Sequence, residues 1–244
     1  MRNLIKADLI RALKSKILYV GLILVLYRTI DQIVTGAMGV DAGAKGFIDG
    51  LHKALSDTPF GALFVVIPIF VAVFSNELSS KSMQCILGHG LTRDKLIASK
   101  FLDGAILLAC YFIFIGGLIK SLDDGSIALS DFQRRCIVIY ILFTMLRYYG
   151  YIVFSAMIMF LTDSSAEGIV ACVAFTAIFK VTFTVMSLFT EFTIYDYTFD
   201  GLLDLSYKLV EIGRFGWQII PAVIYVAAAV IVTVISLRRK EFEF

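Results

Sequence analysis

An all-α integral membrane protein is the fold class this sequence predicts, and three observations predict it. The first is composition. Of 244 residues, 59% are hydrophobic and 17% charged, against about 45–50% apolar and about 25% charged in a soluble domain, and the mean hydropathy is +0.86. The second is length: six apolar runs, near 17–35, 60–76, 101–119, 136–161, 166–190 and 217–237, each approach the roughly 20 residues that cross a bilayer core of about 30 Å. The third is the placement of charge between those runs. With the N terminus cytoplasmic, the inner segments hold Arg2, Lys6, Arg11, Lys14, Lys16, Lys81, Arg93, Lys95, Lys100, Arg238, Arg239 and Lys240. The outer ones hold Lys45, Lys53, Lys120, Arg134, Arg135, Lys208 and Arg214. Carboxylates run the other way, so the positive-inside rule places both termini of a six-span chain in the cytoplasm. No linker or internal repeat divides the chain, which reads as one membrane domain over 1–244.

The elements follow in order. Residues 1–16 carry Ile5, Leu9, Leu13 and Ile17 at successive i+4 steps, with Asp8, Arg11 and Lys14 opposite. This is the pattern of an amphipathic elbow helix in the headgroup layer, its lysines facing anionic lipid. The following apolar run lacks a small-residue cleavage site, so a removable signal peptide is not expected. Spans one and two occupy 17–76, separated by an outer segment, 41–57, in which Asp41, Lys45, Asp49, Lys53 and Asp57 alternate in sign at i+4 spacing. That pattern marks a solvated helix face.

A polar segment, 77–100, then separates spans two and three. Helix connections take about 2–8 residues, so this one is far longer than a turn requires. Gly88 and Gly90 divide it. Leu78, Cys85 and Ile86 form one apolar strip before the glycines, and Met83 and Leu87 a second, so one edge is free for a partner. Thr92 is a good N-cap with Asp94 in the first turn behind it. Spans three to five fill 101–190. An extracellular insertion, 191–216, repeats the alternating pattern with Asp196, Asp200, Asp204 and Lys208, again read first as a solvated face, with the handling of cationic cargo by the carboxylates of both outer segments as the second reading. Span six and a basic cytoplasmic tail complete the chain at 217–244.

Charges inside spans each cost roughly 2.5–3.5 kcal/mol at the bilayer centre and are expected to face protein or a wet cavity. Arg147 is mid-span and reads equally as a cargo-path residue or a packed ion pair. Arg28 and Asp31, one turn apart in span one, read first as a local pair and second as cargo contacts. Lys180 is the fourth cargo-path candidate; it is close enough to the outer end of span five to reach the interface.

Enzyme chemistry finds no foothold. There is no GxxxxGK[ST] phosphate loop, no HExxH and no GxSxG. Cys85, Cys110, Cys136 and Cys172 are far apart without CxxC spacing, and His52 and His89 have no ligand-spaced partner, so no metal or other cofactor is expected in this chain.

The 77–100 segment resembles the permease subunits of type-2 ABC exporters, in which a Glu, an apolar stretch, a Ser/Thr-Arg turn and a Lys entering the next span occur in this order. Glu77, Thr92, Arg93 and Lys100 match; Lys81-Ser82 stands where Gly-Thr is common and Gly90 where Pro is common. The resemblance implies that the segment is a cytoplasmic coupling helix docking into a separate ABC ATPase, with Glu77, Leu78, Lys81, Met83, Cys85, Ile86, Leu87 and Arg93 as its coupling residues. It further implies two ATPase subunits that hold ATP and Mg, a second permease protomer, and a bacterial cytoplasmic membrane as the location. The compact size resembles exporters of amphipathic peptides such as bacteriocins. Drug or ion efflux is the alternative cargo, a non-transporting immunity or sensor protein the alternative class, and nucleic acid is not an expected partner.

Overall fold

The computed structural model describes residues 2–38, 48, 50–51, 59–75, 92–125, 129–189, 194–214 and 216–239, and all regular structure among them is helical. In chain order these are α1 (Arg2–Leu13), α2 (Lys16–Met38) and α3 (Pro59–Phe70), the last continuing as a π turn over Val71–Ser75. Then come α4 (Arg93–Gly125), α5 (Asp131–Thr162) and α6 (Ser165–Val173), which passes through a π turn (Ala174–Ile178) into α7 (Phe179–Phe189). A 3₁₀ turn (Ile194–Tyr197) leads to α8 (Phe199–Glu211), and α9 (Ile219–Arg239) ends the described chain. The expected outer helix at 41–57 and most of the coupling segment, including Glu77, Leu78, Lys81, Met83, Cys85, Ile86 and Leu87, lie outside the described residues.

Among the described residues, four stretches are long and apolar enough to cross a membrane: Arg93–Ser121, Asp131–Thr162, Ser165–Phe183 and Ile219–Arg238. A shorter apolar helix covers Ala62–Ser75, and α2, 23 residues long, occupies the first predicted span. The apolar side chains that remain exposed, such as Val20, Ile23 and Tyr27 on α2 and Val223, Ile224 and Ile231 on α9, form the outward face that a lipid solvent accommodates without penalty.

Local chemistry sets the helix ends. Ser130 and Gln133 form a reciprocal capping box at the start of α5, the Ser130 side chain accepting from the Gln133 amide at 3.3 Å and the Gln133 Oε1 from the Ser130 amide at 2.9 Å. At its far end Asp163 adopts a left-handed conformation (φ 56°), which Asp tolerates better than most residues. Ser164 then caps α6 by accepting from the Glu167 amide at 3.3 Å. Two residues thus suffice to reverse the chain. Inside the helices, Thr144, Ser155, Thr176 and Thr233 each donate a hydroxyl to the carbonyl four residues back, at 2.6–2.9 Å, which satisfies the hydroxyl where water is scarce.

Helix α5 is the central element: α3, α4, α6, α8 and α9 all pack against it. Phe74 anchors the core, its ring 5.6, 5.7 and 6.4 Å from those of Phe70, Phe101 and Phe160. Polar ties join the helices at one end of this bundle. Lys100, 1% exposed, donates from Nζ to Asp8 Oδ2 at 2.6 Å and so fastens α1 to α4. Arg93 donates to the Leu237 and Arg238 carbonyls at 2.9 and 3.1 Å, a guanidinium placed on the negative end of α9. Asp94 accepts from Arg238 in return, and Ser236 donates to the Phe160 carbonyl at 3.0 Å.

Two sequence expectations change here. Among the described side chains of α1 the buried ones are Asp8 and Ala12, while Ile10 and Leu13 are exposed. The acid expected on the solvated face points into the bundle because Lys100, itself buried, requires a counter-charge. In α8 two members of the expected solvated face, Asp200 and Asp204, turn toward α5 while Lys208 stays exposed, for a parallel reason developed next.

Candidate functional site

Helix α8 lies along α5 in the opposite direction. Tyr207 packs on Tyr140 with ring centroids 4.7 Å apart, Asp204 and Asp200 meet Arg147, and Phe199 meets Phe154 at 5.2 Å. Residue numbers rise along one helix as they fall along the other. Arg147 stands about 24 Å from the start of α5 at 1.5 Å per residue, and Phe199 lies deeper still. Helix α8 therefore enters the bundle beside the apolar body of α5 instead of resting on its end.

Two close approaches permit this. A Cβ on Gly150 would sit 2.4 Å from the Phe199 ring, so a bare backbone is needed where the first residue of α8 meets α5. A Cβ on Gly201 would sit 1.9 Å from the Tyr195 carbonyl oxygen. That second glycine lets the 3₁₀ turn fold back on the first turn of α8. Thr198 fixes the fold, donating to the Tyr195 carbonyl at 2.7 Å and accepting from the Gly201 amide at 3.1 Å.

The result is a charged cluster in an apolar setting. Arg147, 7% exposed, donates from Nη2 to Asp204 Oδ1, and its Nε lies 3.6 Å from Asp200 Oδ1. Tyr151 donates its hydroxyl to Asp200 at 2.6 Å and Tyr195 donates to Asp204. Burial, with Asp204 beside it, pushes the Tyr195 phenol well above its ordinary range, so it remains a hydrogen-bond donor at physiological pH. Charge-assisted bonds of this kind are the strong ones. Chemically the arrangement holds charge and position.

An aromatic cavity of about 220 Å³ adjoins the cluster, with Asp200 in its wall. Phe175, Phe179 and Phe183 line one side at i+4 spacing across the π turn between α6 and α7, with neighbouring centroids 5.2 and 6.2 Å apart.

Of the residues singled out from sequence, Arg147 is at this site. Arg28 is half-buried on α2 and Asp31 exposed; no ion pair joins them among the described residues. Lys180 lies on α7, its side chain outside the described residues. Arg93 serves the tie between α4 and α9. The partners that sequence reasoning missed are Asp200, Asp204, Tyr151 and Tyr195. A signal existed: Asp200 falls at helical spacing with Leu203 and Tyr207, both buried, so the acid lies on the apolar stripe. Arg147, needing a counter-charge, pointed the same way.

No protein-family model matches this chain, and no curated protein is significantly similar to it.

Proposed function

We propose that the chain is the membrane subunit of an ATP-driven exporter resembling the type-2 ABC permeases. In this reading six helices cross a bacterial cytoplasmic membrane, both termini are cytoplasmic, and two copies work with two separate ATPase subunits that bind ATP and Mg. The cargo is an amphipathic peptide. The observation that carries the reading is the 77–100 segment, with Glu77, Thr92, Arg93 and Lys100 in order, in a chain that has no phosphate loop of its own.

The surroundings of that segment support a coupling role. Its end flows without interruption into α4, a rigid helix of 33 residues. Arg93 ties the first turn of α4 to the end of α9, and Lys100 ties the third turn to α1. A displacement delivered before Arg93 would therefore reach α1, α4 and α9 together, and α4 and α9 both pack on α5, which carries Arg147.

The test is to purify the tagged chain gently from its native host and identify, with stoichiometry, what accompanies it. A near-equimolar soluble subunit with a phosphate loop is expected, and Glu77→Ala or Cys85→Arg should abolish its association while leaving membrane insertion intact. Retention of the ATPase by either variant counts against the coupling role. A chain recovered alone, in good yield and folded, transfers the reading to an immunity or sensor protein.

A further inference from the structure

The cavity beside the Arg147 cluster has a composition that selects among ligands. Among the described residues that line it, seven of nine are aromatic and one is a carboxylate, Asp200. Arg147 is not in the wall: of the buried ion pair, only the negative member faces the space. Aromatic faces carry negative quadrupole potential and attract cations, most strongly where water is excluded. A carboxylate in the same wall adds attraction of the same sign. An anion is opposed by every one of these groups, and a neutral apolar molecule gains nothing from Asp200.

Size narrows the class further. At about 220 Å³ the space is smaller than the roughly 300–1,000 Å³ of pockets that enclose drug-sized ligands, so the occupant is compact. It has a way in, because Phe179, the middle ring of the Phe175–Phe179–Phe183 row, is 43% exposed. The walls come from α5, α7, α8 and the turns beside them; without any ligand, the Arg147 cluster and the Phe154–Phe199 contact join α5 to α8, and Phe154 meets Phe175 of the ring row at 5.4 Å. The cavity is therefore preformed.

We propose that this cavity binds a compact organic cation with an apolar body, a tertiary or quaternary ammonium that sets its charge against Asp200 and the rings of Phe154, Phe175 and Phe179. The site stands on the cavity alone and does not depend on the coupling segment or on ATP.

The experiment uses the full chain in a non-ionic maltoside, with equilibrium dialysis of labelled benzyltrimethylammonium and, in parallel, of neopentylbenzene, its uncharged carbon isostere. Empty micelles give the background. Saturable binding of the cation, about tenfold tighter than the isostere, is expected from a desolvated cation–π site. The Phe175→Leu/Phe179→Leu variant keeps apolar volume and leaves the Asp200–Arg147 pair untouched; it should weaken the cation about tenfold and the isostere little. Equal affinity for the two probes would reduce the cavity to a greasy gap and overturn the proposal, as would binding no greater than in empty micelles or unchanged cation affinity in the variant. Should the variant fail to fold, the comparison of probes on the parent chain still decides.

Discussion

A guanidinium halfway along a 32-residue apolar helix must find its counter-charge within the protein. Arg147 does so with Asp200 and Asp204, and two tyrosines take up further lone pairs on the same acids. A buried pair of this kind adds little net stability over a well-packed apolar alternative, yet removing one partner is severe, about 3–5 kcal/mol. Arg147→Leu is therefore expected to lower the thermal midpoint in detergent markedly, and Asp200→Asn with Asp204→Asn on that background should recover most of the loss. A single Arg147→Leu variant as stable as the parent would mean that the cluster does not hold α8 in place. Arg147→Lys should fall between, because a point charge cannot serve two separated carboxylates as a planar fork does.

At the scale of elements, the long apolar helices were legible because twenty-odd apolar residues leave few alternatives. Four of the six predicted spans fall on helices that are long and apolar enough to cross a membrane among the described residues, α4, α5, the α6–α7 run and α9; the first two fall on α2 and on the shorter α3 with its π turn. The start of α4 after Thr92 was readable from its cap. What sequence did not yield was the direction in which charged faces turn. Asp8 on α1 has its partner 92 residues away, and Asp204 meets Arg147 across 57. Alternating charge at i+4 spacing looks the same whether the face is solvated or locked on a distant cation. The π turns were invisible as well, since hydrophobic periodicity does not separate an i+5 turn from its neighbours. The Asp8–Lys100 tie allows a clean test. Lys100→Met strands a buried carboxylate and should loosen α1, seen as faster tryptic cleavage at Lys14 and Lys16, which flank the break between α1 and α2. Adding Asp8→Leu should slow cleavage again. Unchanged cleavage in Lys100→Met would show that α1 docks by other means.

At the scale of the whole molecule, an apolar core is ringed by further apolar side chains that stay exposed, the Arg147 and Lys100 pairs are buried, and among the described residues four helices are long and apolar enough to cross a membrane. A six-span topology makes a specific statement: the two ends share a side, and the connection between α4 and α5 lies opposite. In a background lacking Cys85, Cys110, Cys136 and Cys172, a membrane-impermeant maleimide on intact cells should label Asp124→Cys and spare Asn3→Cys and Phe244→Cys. Both ends should label once the membrane is opened. Labelling of one end only from outside would require an odd number of crossings.

The separation of Arg147 from its acids also has a consequence in time. A chain made from its N terminus exposes α5 to the insertion machinery before Asp204, 57 residues later, has been synthesised. At 5–20 residues per second the delay is roughly 3 to 11 s. For that interval the arginine has no access to the carboxylates that later neutralise it. Nothing from α8 can offset the roughly 2.5–3.5 kcal/mol that a mid-span arginine costs until then, so α5 enters lipid less favourably before α8 is made than after it, and the third helix downstream completes its setting.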